Sequence, residues 1–134
     1  MKLHHVGVVV ENLQTSGQAY GRALRLVPDS EIFHDPIQKV RVQFWRDEES
    51  SLVELIEPAA PDSPVWPELK KGGGLNHLCF EAVDIERQVA DAVEGGAILA
   101  VNPVPAVAFS GRRIAFLYFP RIGLIEFVER SSPE

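Results

Sequence analysis

The chain has 134 residues, 46% hydrophobic and 24% charged, a size and balance that fit one compact soluble domain able to bury a core. Its formal net charge of −6, with basic residues scattered apart from the neighbours Lys70-Lys71 and Arg112-Arg113, excludes a phosphate-binding nucleic-acid surface. No apolar run approaches the roughly 18 residues that span a bilayer, the start MKLHHVGVVVENL lacks a secretory cleavage site, and the single cysteine, Cys79, suits a reducing compartment, so a cytoplasmic protein without membrane partners is expected.

In chain order, residues 3–10 (LHHVGVVV) read as a strand. A helix is predicted over 14–26, where Leu13, Ala19, Tyr20, Ala23 and Leu24 recur at helical spacing behind Asn12 or Thr15 as cap. Extended segments follow near 30–34, 39–46 and 51–57, separated by Asp35-Pro36 and the polar residues 47–50. Residues 59–74, rich in Pro and Gly, read as a connector with one helical turn at 66–71. A strand at 75–82, a helix at 85–94 closed by Gly95 and Gly96, and strands at 97–101, 113–119 and 122–129 complete the chain. Two prolines and a Ser-Gly keep residues 102–111 from forming a regular internal strand, which makes them an expected rim loop.

The second half repeats the first at an offset of 72. LHHVGVVV lies on LNHLCFEA, so that His5 meets His77 (77 − 5 = 72). Arg41-Val42-Gln43-Phe44 lies on Arg113-Ile114-Ala115-Phe116, Glu54 on Glu126 and Glu57 on Glu129, without a gap. The fold class is therefore α+β: two βαβββ modules, residues 3–58 and 75–130, joined by the connector within one domain and forming an open, cup-shaped mixed sheet with helices outside.

Side chains alternate along a strand, so His5 shares a face with Leu3, Gly7 and Val9, while Val6, Val8 and Val10 form the more continuous apolar face and are assigned to the helix. His77 then points with Cys79 and Glu81 away from the helix, and His4 is expected at a solvated strand end. A lone strand histidine is ordinarily a satisfied one. Glu54 and Glu126 are different, because each sits among apolar neighbours, where an uncompensated carboxylate is costly. If the modules are related by a pseudo-twofold axis, His5, Glu54, His77 and Glu126 can converge on one centre. Two imidazoles and two carboxylates suit one divalent ion: Co, Ni, Zn, Mn or Fe.

Paired βαβββ modules with His on the first strand and Glu on the last resemble the vicinal oxygen chelate superfamily, which includes glyoxalase I, methylmalonyl-CoA epimerase, extradiol dioxygenases and the bleomycin and fosfomycin resistance proteins. HHVGVVVENL, ELIEPAAPDSPV, GGGLNHLCFEAVDIE and GRRIAFLYFP are most similar to the methylmalonyl-CoA epimerase branch. The resemblance implies the same four metal ligands, with Glu126 or Glu54 as the catalytic base in lyase or isomerase chemistry. The reaction would remove a proton α to the carbonyl of a small carbonyl or acyl-thioester substrate. One departure stands out: the epimerases carry an acid just before the Val40-Arg41-Val42 strand, and Pro36-Ile37-Gln38-Lys39 offers no carboxylate, which counts against inversion. The alternative is sequestration of a small molecule without turnover; ferrous ring cleavage fits less well, since those enzymes use one carboxylate. Candidate substrate contacts are Gln38, Arg113, Cys79, Trp45 and Phe116, the two aromatics being placed to line either cavity or core. A homodimer is expected, as members of the superfamily exchange modules across dimers.

Overall fold

A computed structural model describes residues 1–131, among which lie nine strands and three α-helices. No helix is long and apolar enough to cross a membrane. The chain divides into two compact units, His5–Asn76 and a second made of Met1–His4 with the residues from His77 on.

The first unit contains β1 (Lys2–Val9, entering from the chain start), α1 (Leu13–Leu24), β2 (Val27–Pro28), β3 (Phe33–Asp35), β4 (Val40–Arg46), β5 (Leu52–Pro58) and α2 (Trp66–Lys70). β5 runs parallel to β1 on one side and antiparallel to β4 on the other, and both short strands lie against β4. α1 begins at Leu13 because Asn12 is its N-cap, the Asn12 side chain accepting from the Thr15 amide at 3.0 Å. It ends at Arg25 in the left-handed conformation, φ 56°. The extended segment expected at 30–34 is instead two fragments, 27–28 and 33–35. Side-chain bonding explains the gap: Ser30 Oγ accepts from the Phe44 amide and the Ser30 carbonyl accepts from Gln43 Nε2, both at 3.0 Å, in place of a continuous ladder.

Val10, Leu13 and Leu55 form this unit's helix-side core with Val8, Trp45 and Val53, so the assignment of Val8 and Val10 to the helix holds. Gly17 and Gly21 let α1 settle onto Trp45: a Cβ at Gly17 would come within 3.0 Å of the indole.

The second unit repeats the plan with β6 (Gly74–Ala82), α3 (Ile85–Glu94), β7 (Ile98–Pro105), β8 (Arg113–Phe119) and β9 (Gly123–Glu129). β9 pairs parallel with β6 and antiparallel with β8, and β7 pairs antiparallel with β8. Ala82, Ile85, Val89, Ala115, Leu117, Ile125 and Phe127 make its core on the helix side. The predicted rim loop needs correction. Strand β7 continues through residues 102–105, and a short 3-10 turn, Val107–Phe109, follows. The register slips twice along the β7/β8 ladder, and β7 pairs only with β8 among the described residues, so Pro103 and Pro105 cost little in a strand bonded on one side.

Candidate metal centre

Each unit holds one buried His–Glu pair built the same way. In the first, Gly7 of β1 stands opposite Glu54 of β5, and His5 lies two residues earlier on the same face. His5 Nε2 approaches Glu54 Oε1 at 3.4 Å, and the two residues are 1% and 6% exposed. Phe44, directly across from Glu54 in the β4/β5 ladder, sets its ring edge-on to His5 at 5.3 Å between centroids.

In the second unit Cys79 of β6 stands opposite Glu126 of β9, and His77 is again two residues earlier. His77 Nε2 lies 3.1 Å from Glu126 Oε1, with both residues buried. Phe116, across from Glu126, sits edge-on to His77 at 5.2 Å.

The donor chemistry fits a divalent ion. A carboxylate inside an apolar sheet is retained at a cost, and in both units the group beside it is an imidazole. Neutral imidazole and carboxylate are the donors that first-row divalent ions accept, and the buried phenyl ring beside each pair limits water.

The remaining residues singled out in the sequence fall in varied places. Cys79 is fully buried opposite Glu126, and Phe116 is the ring on His77. Trp45 points to the helix side, against Gly17 and Gly21, on the face away from Phe44. Gln38 is half-buried in a turn where Asp35 Oδ1 accepts from the Ile37 and Gln38 amides, both at 3.0 Å. Arg113 is held by two carboxylates, Glu86 at 2.7 Å and Glu129 at 2.9 Å, which keep its guanidinium charged well above the usual range. His4, expected in solvent, is half-buried with its ring edge-on to Phe109 at 5.3 Å.

Two features escaped the sequence reading. Phe44 matches Phe116 at the offset of 72, which was signal enough to prefer it to Trp45 as the ring beside a histidine. Glu57 and Glu129 also match, and each receives an arginine, Arg41 at 2.6 Å and Arg113 at 2.9 Å.

This geometry has counterparts among known proteins. Over 120 residues the chain is 32% identical to the uncharacterized protein YqjC of Bacillus subtilis, covering 87% of this chain and 81% of that one. Over 122 residues it is 28% identical to an ethylmalonyl-CoA/methylmalonyl-CoA epimerase of Cereibacter sphaeroides, covering 87% of each. It superposes on a solved methylmalonyl-CoA epimerase, in complex with methylmalonyl-CoA and NH4+, with a TM-score of 0.75 at 26% identity over 99% of this chain and 96% of that one. The sequence profile that matches residues 4–116 is that of the Glyoxalase/Bleomycin resistance protein/Dioxygenase superfamily, and the chain belongs to that superfamily.

Proposed function

We propose that His5, Glu54, His77 and Glu126 together hold one divalent ion, Co, Ni, Zn, Mn or Fe, and that the protein is a lyase or isomerase removing a proton α to the carbonyl of a small acyl-thioester or carbonyl substrate. The observation that carries this reading is the pair of buried His–Glu sets, repeated at one offset in sequence and at one register in both ladders. A structural role alone demands neither two costly carboxylates nor their symmetry.

When bound, the ion supplies Lewis-acid charge to the substrate's carbonyl oxygen. The chain's own residues do the rest. His5 and His77 orient the two carboxylates. Glu126, with Glu54 as its counterpart, is the base that receives the α-proton, and burial favours this because a poorly solvated carboxylate gains by taking a proton. Phe44 and Phe116 limit solvent around the pairs, which slows loss of the abstracted proton to water.

The missing acid among residues 36–39 bears on the outcome. Gln38 is an amide and cannot act as a general base, so a base on one side of the substrate returns the proton to the face it left. The reading therefore favours α-proton removal without inversion, and the acyl-CoA names of the relatives point to a thioester as the substrate class.

The test is reconstitution with each of the five metals, followed by NMR of α-proton exchange into deuterated solvent across acyl-CoA and hemithioacetal compounds. Metal-dependent exchange is expected with at least one thioester, and Glu126→Gln is expected to cut it about 100-fold or more. Absence of metal-dependent exchange throughout the panel overturns the reading.

A further inference from the structure

The connector, which the proposed chemistry leaves without a role, builds a second cavity inside the first unit. A half-open cleft of about 630 Å³ lies where the end of β1 meets α1 and α2, within the size range of small-molecule sites. Val10 and Leu69 give it apolar lining, Tyr20 and Trp66 supply aromatic rings, and Lys70 and Glu11 bring opposite charges. The indole of Trp66 is pinned, its Nε1–H donating to the Ala60 carbonyl at 2.7 Å. Gly73, at φ 71°, brings the connector onto β1 so closely that a Cβ there would lie 2.6 Å from the Val9 carbonyl oxygen. Neither Lys70 nor Glu11 has an ion-pair partner among the described residues, so both charges are available to a ligand.

We propose that this cleft seats the adenine-nucleotide end of an acyl-CoA. The chemistry selects a flat ring that can stack, an exocyclic N–H donor for Glu11 and an anion for Lys70, and an adenine nucleotide carries all three. The inference rests on the acyl-thioester reading above. His5 and Val9 are four residues apart on β1, about 13 Å at strand rise, a span that the extended pantetheine arm of an acyl-CoA covers. The protein thereby discriminates acyl-CoA from truncated thioesters by contacts far from the reacting carbon.

The two tryptophans allow a direct test, since Trp45 lies under α1 and reports on global change. With the indoles labelled by 15N, titration of adenosine 5′-monophosphate is expected to move the Trp66 signal saturably and leave Trp45 in place. Lys70→Glu and Tyr20→Ala are each expected to weaken this binding tenfold or more. Lys70→Glu should also raise KM for acyl-CoA at least tenfold while leaving turnover of an acyl N-acetylcysteamine thioester unchanged. An unmoved Trp66, full affinity in both variants, or benzoate moving Trp66 as strongly as the nucleotide overturns the assignment. Exchange of the truncated thioester with nucleotide binding absent sinks the cleft alone; nucleotide binding without metal-dependent exchange sinks the reaction alone.

Discussion

Glu129 accepts the Arg113 backbone amide at 2.7 Å on one carboxylate oxygen and the Arg113 guanidinium at 2.9 Å on the other, and 72 residues earlier Glu57 accepts the Arg41 guanidinium at 2.6 Å. Each clamp also reaches the start of its unit's helix. Glu57 accepts from the Leu13 amide at 2.9 Å, and Arg113 donates to Glu86, in the first turn of α3, at 2.7 Å. The last strand of each unit is thus tied to both the middle strand and the helix N-terminus, three residues beyond the carboxylate of the His–Glu pair.

The clamp carries a pH signature. Hydrogen bonding from the Arg113 guanidinium, reinforced by its backbone amide, holds the Glu129 carboxyl below its ordinary value of 4.5. A group whose pKa is depressed on folding contributes stability above its unfolded pKa, and that contribution is lost as pH falls through the folded value. Glu129→Gln is expected to lower the thermal midpoint at neutral pH by roughly 3 °C and to flatten the wild-type loss of stability below pH 4.5. Thermal melts across that acid range check both; an unchanged acid limb in the variant refutes the clamp's contribution.

Gly17 sets two effects against each other. In a helix interior, Gly→Ala gains about 1 kcal/mol from propensity, but here the added methyl comes within 3.0 Å of Trp45. Overpacking costs about 1–3 kcal/mol, and the pinned indole leaves little room to relax, so Gly17→Ala is expected to destabilise. In a Trp45→Leu background the same change is expected to become neutral or stabilising. A double-mutant cycle by urea denaturation measures the coupling, and additivity of the two changes counts against the contact.

The α1 cap makes a smaller, local prediction. Asn12 satisfies the Thr15 amide and Glu57 satisfies the Leu13 amide, so two of the helix's unpaired donors are met by different strategies, one local and one from 44 residues away. Asn12→Ala is expected to cost about 1 kcal/mol. Asn12→Asp, which keeps the acceptor, is expected to retain nearly full stability without the usual gain from a negative charge at a helix start, because Glu57 is already there. Chemical denaturation of both variants distinguishes these outcomes.

Much of this architecture is legible from periodicity. The offset of 72 joins residues that the ladders place at equivalent registers, Gly7 against Glu54 and Cys79 against Glu126, because a duplicated sequence repeats its pairing along with its pattern. Alternation along β1 and β6 assigned the histidines to the face away from the helices for the same reason. What periodicity does not carry is register between strands. Trp45 and Phe44 are adjacent aromatics on one strand, and choosing which stands over the histidine requires knowing that Phe44 pairs with Glu54. The course of residues 102–105 depended on whether that strand would be bonded on one side or both, a tertiary fact that the prolines alone left open. The arginine clamps were visible as matched positions but not as contacts, since an exposed-looking Arg and Glu carry no signature of pairing.

The proposed donor set makes its own stability prediction. An ion bound only by the folded state stabilises in proportion to the logarithm of its concentration over Kd, by about 2.7 kcal/mol at a hundredfold excess. Stripping the protein with a chelator is therefore expected to lower its thermal midpoint, and adding back the cognate divalent ion to restore it. His5→Ala and His77→Ala act from different units, yet if all four side chains serve one ion each should abolish the response and reduce the metal content measured after desalting. A response that survives either substitution assigns the ion to the other pair alone. Equal melting of stripped and reconstituted wild type refutes metal binding at these residues. The histidine variants have a further value: removing an imidazole leaves a buried carboxylate without its neighbour, so a loss of stability is expected even without metal. Only the metal-dependent difference in midpoint reports the site, and Glu54→Gln, which preserves volume while removing the charge, is expected to weaken that difference without the same metal-free penalty.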